Sequence, residues 1–148
     1  MSEDRIEIVC PHCGAINRVP RGADLGAGKC GRCHQALLAG GPVAATEESF
    51  DRFVARNELP VVVDFWAAWC GPCRAMAPVY ERVAARLEKE FRFLKVDAEA
   101  EPRLAARYQI RSIPTLMILH KGKVIAQRAG ASDGTSLEAW LRQHKVAA

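Results

Sequence analysis

Six cysteines, arranged as three Cys-x-x-Cys pairs, dominate this sequence. The pairs are "CPHC" at 10–13, "CGRC" at 30–33 and "CGPC" at 70–73, in a chain of 148 residues. Two cysteines at this spacing can exchange electrons, hold a metal ion or cross-link the chain. Because the spacing is the same each time, the neighbouring residues must decide which pair does which.

The composition predicts one ordinary globular domain with a small appendage. Hydrophobic residues make up 49% of the chain and charged residues 26%, which is typical of globular proteins. The longest apolar runs, "PVVV" at 60–63 and "IPTLMIL" at 113–119, are too short to span a bilayer, so we expect no membrane partner. The formal net charge of +4 is modest and spread over the chain, so we expect no nucleic-acid partner either.

The first residues predict the compartment. The stretch "MSEDRIEIVC" carries acids where a signal peptide has basic residues, and no apolar core follows it. We therefore expect a cytoplasmic protein, in which thiols stay reduced and structural disulfides are disfavoured. Six cysteines in that compartment favour metal binding or redox chemistry.

A change in composition predicts two domains, at 1–42 and 43–148. Gly40, Gly41 and Pro42 interrupt the chain at the boundary. The first segment has few large apolar residues, and a module of this size cannot offset its chain entropy without a staple. Its candidates for that staple are Cys10, Cys13, Cys30 and Cys33.

The second segment alternates between strand and helix patterns. "PVVVDFWA" is typical of a strand buried on both faces, and "RAMAPVYERVAARLEKE" has helical apolar spacing. "TLMIL" and "KVIAQR", joined by "HKG", predict a hairpin. With "PVAA" as a short first strand, the order is β-α-β-α-β-α-β-β-α. That order predicts an α/β fold, a central mixed sheet flanked by helices on both faces.

The third cysteine pair lies between a buried strand and a helix. In "FWAAWCGPCRAM" the strand ends and the helix begins almost at once, which places Cys70 at the helix N-terminus. Unpaired N–H groups and the positive end of the helix dipole favour a thiolate there, and hence a nucleophile. Cys73 lies one turn on, within reach of Cys70. The setting favours dithiol redox chemistry, and half of a metal site is the alternative.

Several motifs together resemble the thioredoxin family. They are "VDFWAAWCGPCRAMAP", "FLKVDA", "YQIRSIPTL" and "GKVIAQRAGA", and the resemblance runs from about residue 43 to the C-terminus. It implies the thioredoxin fold and a thiol–disulfide oxidoreductase. It also implies that Cys70 is the attacking thiolate, Cys73 the resolving cysteine, Asp64 a buried acid beneath them and Lys95 the lysine near that acid.

The surroundings of Asp64 agree with that role. An unpaired carboxylate in "VVVDFW" is costly and should have a raised pKa. Such a group could take the proton of Cys73 through a water. The alternatives are an Asp64 at the strand end that reaches solvent, and a Lys95 that is simply an exposed strand residue. We place Trp66 in the core.

The resemblance also implies a substrate groove around a cis Ile113–Pro114 bond. Gly71 and Pro72 between the cysteines resemble the reducing members of the family, although the direction of electron flow also depends on potential and compartment. The residues implied to line the groove are Trp69, Gly71, Pro72, Ile113, Pro114, Gly130 and Ala131.

The first two pairs have the spacing of a zinc site. Two Cys-x2-Cys pairs separated by 16 residues predict a four-cysteine site for one zinc ion, with Cys10, Cys13, Cys30 and Cys33 as tetrahedral ligands. Metal binding would supply the folding energy that the small segment lacks. Iron in the same cage, or two reversible disulfides, are the alternatives.

The residues beside these pairs predict tight turns. We expect Gly14 and Gly31 to allow turns whose N–H groups face the sulfurs. His12 and His34 are interpreted as solvated turn residues rather than ligands.

A four-cysteine module before a "WCGPC" domain resembles the zinc-containing, two-domain thioredoxins, the thioredoxin-2 class. The resemblance implies a protein-disulfide reductase that acts on oxidised substrate proteins. It also implies that a thioredoxin reductase using NADPH returns the electrons, so that this chain binds no flavin or nicotinamide. The alternative is a zinc ribbon that docks on a partner or senses oxidants, with the thioredoxin domain as scaffold.

Overall fold

The computed structural model describes residues 4–145. The strands are β1 (Arg5–Val9), β2 (Ile16–Pro20), β3 (Val43–Ala44), β4 (Val61–Trp66), β5 (Arg92–Asp97), β6 (Thr115–His120) and β7 (Lys123–Ala129). The α-helices are α1 (Glu47–Ala55), α2 (Gly71–Leu87), α3 (Pro102–Arg107) and α4 (Gly134–Gln143). None of the helices among these residues is both long and apolar enough to cross a membrane.

Strands β3 to β7 form one mixed sheet in the order β3-β5-β4-β6-β7. The central strand β4 pairs parallel with β5 and antiparallel with β6, and five of its six residues are buried. One face of the sheet is covered by apolar side chains of α1 and α3, and the other by those of α2 and α4. The predicted element order and the predicted mixed sheet with helices on both faces are confirmed.

Strands β1 and β2 form a separate hairpin that carries the first cysteine pair at its turn. Their register pairs Val9 with Ile16, and the four residues of the first pair lie between β1 and β2. The second pair follows a short 3₁₀ turn at Leu25–Ala27. A small apolar cluster joins the hairpin to the second pair; it contains Ile6, Ile8, Cys10, Leu25, Cys30, Leu37 and Leu59.

The hairpin and the second cysteine pair, together called the small module, pack against the end of the sheet at which β4 and β5 begin. Val9 is buried in the apolar cluster of α1 and the sheet, and Leu59 is buried in the cluster of the small module. The N–H of Glu58 donates to the carbonyl of Glu7 at 2.7 Å. Cys70 follows the opposite end of β4, and six residues of strand span about 20 Å. The small module therefore lies far from the third cysteine pair. The domain boundary at residue 42 stays a prediction.

Candidate active site and metal centre

Cys70 is the N-cap of α2. Its backbone is extended, and its sulfur accepts the N–H of Cys73 at 3.2 Å. Pro72 occupies the first turn, where a missing N–H costs the helix nothing. The sulfurs of Cys70 and Cys73 are joined in a disulfide. Both cysteines are buried, while the neighbouring Trp69 is 67% exposed. The disulfide therefore lies just below the protein surface, beside the exposed Trp69 at the N-terminus of α2.

The cis-proline loop faces this disulfide. The Ile113–Pro114 peptide bond is cis, and the carbonyl oxygen of Ile113 lies 3.7 Å from the sulfur of Cys70. Gly130 is tied to the same loop, because its N–H donates to the carbonyl of Pro114 at 2.9 Å. The structure thus brings Ile113, Pro114 and Gly130 to the cysteine pair. Ala131 follows Gly130 and is exposed.

A hollow of about 410 Å³ lies beside Trp69 and Ile113. Its wall also contains Ala98, Ile110, Arg111 and Ser112, none of which we predicted as site residues. The signal was present for three of them, since they directly precede Ile113 in "QIRSIP". That the hollow and the predicted groove residues bind a substrate stays a prediction.

Asp64 is buried beneath the disulfide. It is 2% exposed, and its Oδ1 has no hydrogen-bond partner among the described residues. Burial raises the pKa of Asp64 to about 7, and the positive charge of Lys95 on the paired strand acts in the opposite direction. Asp64 is therefore not a strand-end residue that reaches solvent.

A cavity of about 70 Å³ connects Asp64 with Cys73. Its size is enough for one or two waters, and carboxylate and thiol groups are suitable partners for them. Trp66 and Lys95 also line it, and the Lys95 ammonium lies 4.8 Å from the centre of the Trp66 ring. Trp66 packs against the small apolar cluster of Ala67, Cys70 and Cys73, in agreement with its placement in the core, but it is only half-buried and also lines this cavity.

The other four cysteines converge on one point. Their sulfurs all lie within 4.8 Å of one another, and Cys10–Cys33 and Cys13–Cys30 are each 3.6 Å apart. Tetrahedral thiolate ligands about 2.3 Å from a zinc ion lie about 3.8 Å from each other. The four sulfurs therefore fit a closed tetrahedral metal site.

Backbone N–H groups face the sulfurs of this cluster. His12 and Cys13 donate to Cys10 at 3.3 and 3.5 Å, and Arg32 donates to Cys30 at 3.4 Å. Such donors stabilise thiolates, which are the form that binds a metal. As expected, the N–H groups of both turns point at the first cysteine of each pair.

The two turns differ in the residue that takes the left-handed conformation. Gly14 has φ +77°, which suits the tight turn predicted there, and its N–H donates to the carbonyl of Cys10. In the second turn the equivalent residue is His34, with φ +65°, rather than Gly31. Gly31 instead donates its N–H to Oδ1 of Asn17. His12 and His34 are exposed and lie outside the sulfur cluster, in agreement with their interpretation as turn residues.

Asn17 is a residue that the sequence analysis missed. Its Nδ2 donates to the Cys30 sulfur at 3.5 Å. The pKa of Cys30 is lowered to about 5, first by the backbone N–H of Cys33 and next by the Asn17 amide. A single amide on β2 thus supports both the sulfur and the turn of the second pair.

The fold and the third pair together define the class of this protein. A Cys-x-x-Cys disulfide at the N-terminus of a helix, with a buried carboxyl beneath it and a cis-proline carbonyl beside it, is the site of a thiol–disulfide oxidoreductase.

Comparisons with known proteins give the family. The profile described as Thioredoxin matches residues 41–143, and the profile described as Thioredoxin 2, N-terminal matches residues 9–35. Thioredoxin C-3 of Corynebacterium nephridii is 45% identical over 136 residues, which cover 92% of this chain and 93% of the relative. Thioredoxin of Porphyra purpurea is 43% identical over 99 residues, covering 67% of this chain and 92% of the relative. The chain belongs to the thioredoxin family.

Proposed function

We propose that this chain reduces disulfides of oxidised proteins through Cys70 and Cys73. The observation that carries the proposal is the Cys70 sulfur, which caps α2 and faces the Ile113 carbonyl. The Cys70 thiolate attacks one substrate sulfur, forms a mixed disulfide and releases the other sulfur as a thiol. The Cys73 thiolate then attacks the Cys70 sulfur, which forms the Cys70–Cys73 disulfide and releases the second substrate thiol. Two electrons pass to the substrate in each cycle.

Asp64 is the group that accepts the proton of Cys73 in this proposal. The cavity between them has room for a bridging water, and a base with a pKa of about 7 suits proton transfer near neutral pH. Lys95 is a positioning residue, since its charge favours the ionised carboxylate. The exposed residues Trp69, Gly71 and Pro72, with Ile113, Pro114, Gly130 and Ala131, hold an extended segment of the substrate.

Replacing Asp64 by asparagine is expected to slow the resolving step about 100-fold at pH 8, because positioned bases contribute at least that much. In the wild-type chain the rate falls as the pH drops through about 7, where the carboxyl becomes protonated and no longer accepts a proton. The variant should lack this inflection. Single-turnover reduction of a protein disulfide, followed between pH 5 and 9, measures both effects.

Glu81→Gln is the matched control, since Glu81 is an exposed acid on α2. A stability readout supports the same assignment. The folded pKa of Asp64 is raised from 3.8, so the free energy of unfolding falls between about pH 4 and 7 as the unfolded state loses a proton that the folded state keeps. Above pH 7 this destabilisation reaches about 4 kcal/mol, and Asp64→Asn should remove most of it. An unchanged pH profile in Asp64→Asn would argue against the base.

We propose that one zinc ion is held by Cys10, Cys13, Cys30 and Cys33, since four thiolates at these separations suit zinc. When bound, the ion would cross-link the two chain segments, or arms, that carry the first and the second cysteine pair. Freshly reduced chain should contain one zinc and two readily reactive thiols, because the metal shields the other four sulfurs. Elemental analysis with a native thiol titration measures both numbers. No metal, with more than two reactive thiols, would instead make the first two pairs redox partners.

The electron donor is expected to be a separate thioredoxin reductase that uses NADPH, so that no flavin or nicotinamide binds to this chain. The relatives are named as thioredoxins, which supports this partner class. We place the protein in the cytoplasm, where reducing conditions keep both the dithiol and the zinc thiolates reduced. We also propose that the chain consists of a zinc-binding module at 1–42 and a thioredoxin domain at 43–148.

A further inference from the structure

Arg92 is a buried cation at the junction of the two modules. It is the first residue of β5 and is 4% exposed. Its guanidinium lies 5.7 Å from the centre of the Phe53 ring, and its backbone N–H donates to the carbonyl of Pro60 at 2.9 Å. These contacts fix Arg92 to the larger domain. Buried arginines are rare unless they have specific partners.

The hydrogen-bond acceptors of the Arg92 guanidinium belong to the small module. One guanidinium nitrogen, Nη2, donates to the carbonyl of Val9 at 2.9 Å and to the carbonyl of Leu37 at 3.1 Å. Val9 directly precedes Cys10, and Leu37 lies four residues after Cys33. One side chain therefore connects both arms that carry the sulfur cluster.

Asn57 binds the other backbone polar group of Val9, on the arm that carries the first cysteine pair. It is 2% exposed, its Oδ1 accepts the N–H of Val9 at 3.0 Å, and its Nδ2 donates to the carbonyl of Leu59. Both backbone polar groups of Val9 are thus bound by side chains of the larger domain. The position of Cys10, the next residue, is set by contacts outside its own module.

The charge of Arg92 is also suited to this place. Burial lowers the pKa of Arg92 to about 10, while the negative charges of Glu88 and Cys10 favour its protonated form. Arg92 is therefore charged at neutral pH. Four thiolates around one divalent cation carry a formal net charge of −2, and a buried cation nearby compensates part of it.

We propose that Arg92 is a positioning residue for the metal centre, because it holds the two cysteine-bearing arms together by their Val9 and Leu37 carbonyls. The inference rests on the proposed zinc site. It makes the metal centre a product of both modules, with Asn57 in a supporting role.

The test compares Arg92→Lys with Arg56→Lys in the full chain. Lysine keeps the charge but replaces the planar fork with a single flexible ammonium. Zinc affinity of Arg92→Lys, measured by competition with a chromophoric chelator, should fall 10- to 100-fold, as for other residues that orient metal ligands. Arg56 is an exposed arginine at the same junction, paired with Glu7. Arg56→Lys should keep the affinity within about twofold.

Thermal unfolding separates positioning from a general structural role. Each chain is melted with zinc and after chelation. If Arg92 positions the metal ligands, Arg92→Lys should lower the Tm more in the zinc form than in the metal-free form, because zinc then stabilises the variant less. Equal losses in both forms, with unchanged zinc affinity, would overturn the proposal.

A second variant covers poor folding of Arg92→Lys. Asn57→Ser releases the Val9 N–H and should weaken zinc binding in the same direction. Wild-type affinity in Asn57→Ser would overturn the proposal in that case. A wild-type chain that binds no zinc would instead refute the proposed metal site, which distinguishes the two failures.

Discussion

The Cys70→Ser variant is expected to lose essentially all disulfide reductase activity, a fall of about 10³-fold or more. Serine at the N-cap still accepts the Cys73 N–H, so the helix should be unchanged, but no thiolate remains to attack a substrate sulfur. The measurement is reduction of a protein disulfide, such as that of insulin, with NADPH and a thioredoxin reductase as the electron source. Circular dichroism checks that the fold is retained.

Cys73→Ser is the companion variant. Its Cys70 thiolate should still attack, but the mixed disulfide has no resolving thiol and should accumulate as a covalent adduct of chain and substrate, visible by mass spectrometry. Cys70→Ser should give no adduct. If Cys70→Ser kept the wild-type rate, Cys70 would not be the attacking thiolate. Docking of a zinc ribbon on a partner should survive Cys70→Ser, because partner binding does not need that sulfur.

Local patterns were sufficient to predict the architecture around this pair. The apolar run of β4 can be read directly because both faces of that strand are buried. The same pattern makes Asp64 stand out in the sequence, since a carboxylate in a strand buried on both faces has no contact with solvent. The grouping of the first four cysteines followed from their spacing, because each turn supplies two sulfurs on its own.

Long-range polar contacts were beyond prediction from the sequence. Arg92 lies 83 residues from Val9 and 55 from Leu37, and Asn57 lies 48 from Val9. Neither residue carries a local signal, since "EFRFLKV" reads as an ordinary strand. The placement of the small module cannot be predicted from the sequence for the same reason. Gly40 and Gly41 suggest a flexible linker, whereas docking depends on Val9 entering the core of the other domain.

The second large effect is expected when a metal ligand is removed. Cys30→Ala should reduce the metal content from one zinc per chain to background, because three thiolates leave the closed site incomplete. The module has a small apolar cluster and a two-stranded hairpin, and zinc binding contributes on the order of 10 kcal/mol to the folding of comparable zinc-finger peptides. We therefore expect the amides of β1 and β2 to lose their protection from hydrogen exchange. Hydrogen exchange by mass spectrometry, with metal analysis of the same sample, measures both changes.

Arg32→Ala is the matched control, because its exposed side chain lies between Cys30 and Cys33 while its N–H, which faces the Cys30 sulfur, remains. It should keep the zinc and the protection of β1 and β2. Full protection in Cys30→Ala would mean that docking against the sheet, through Val9 and its hydrogen bonds, folds the module without metal. Selective loss of protection in β1 and β2, with α2 still protected, would show that zinc stabilises its own module while the opposite end of the sheet keeps the redox pair in place.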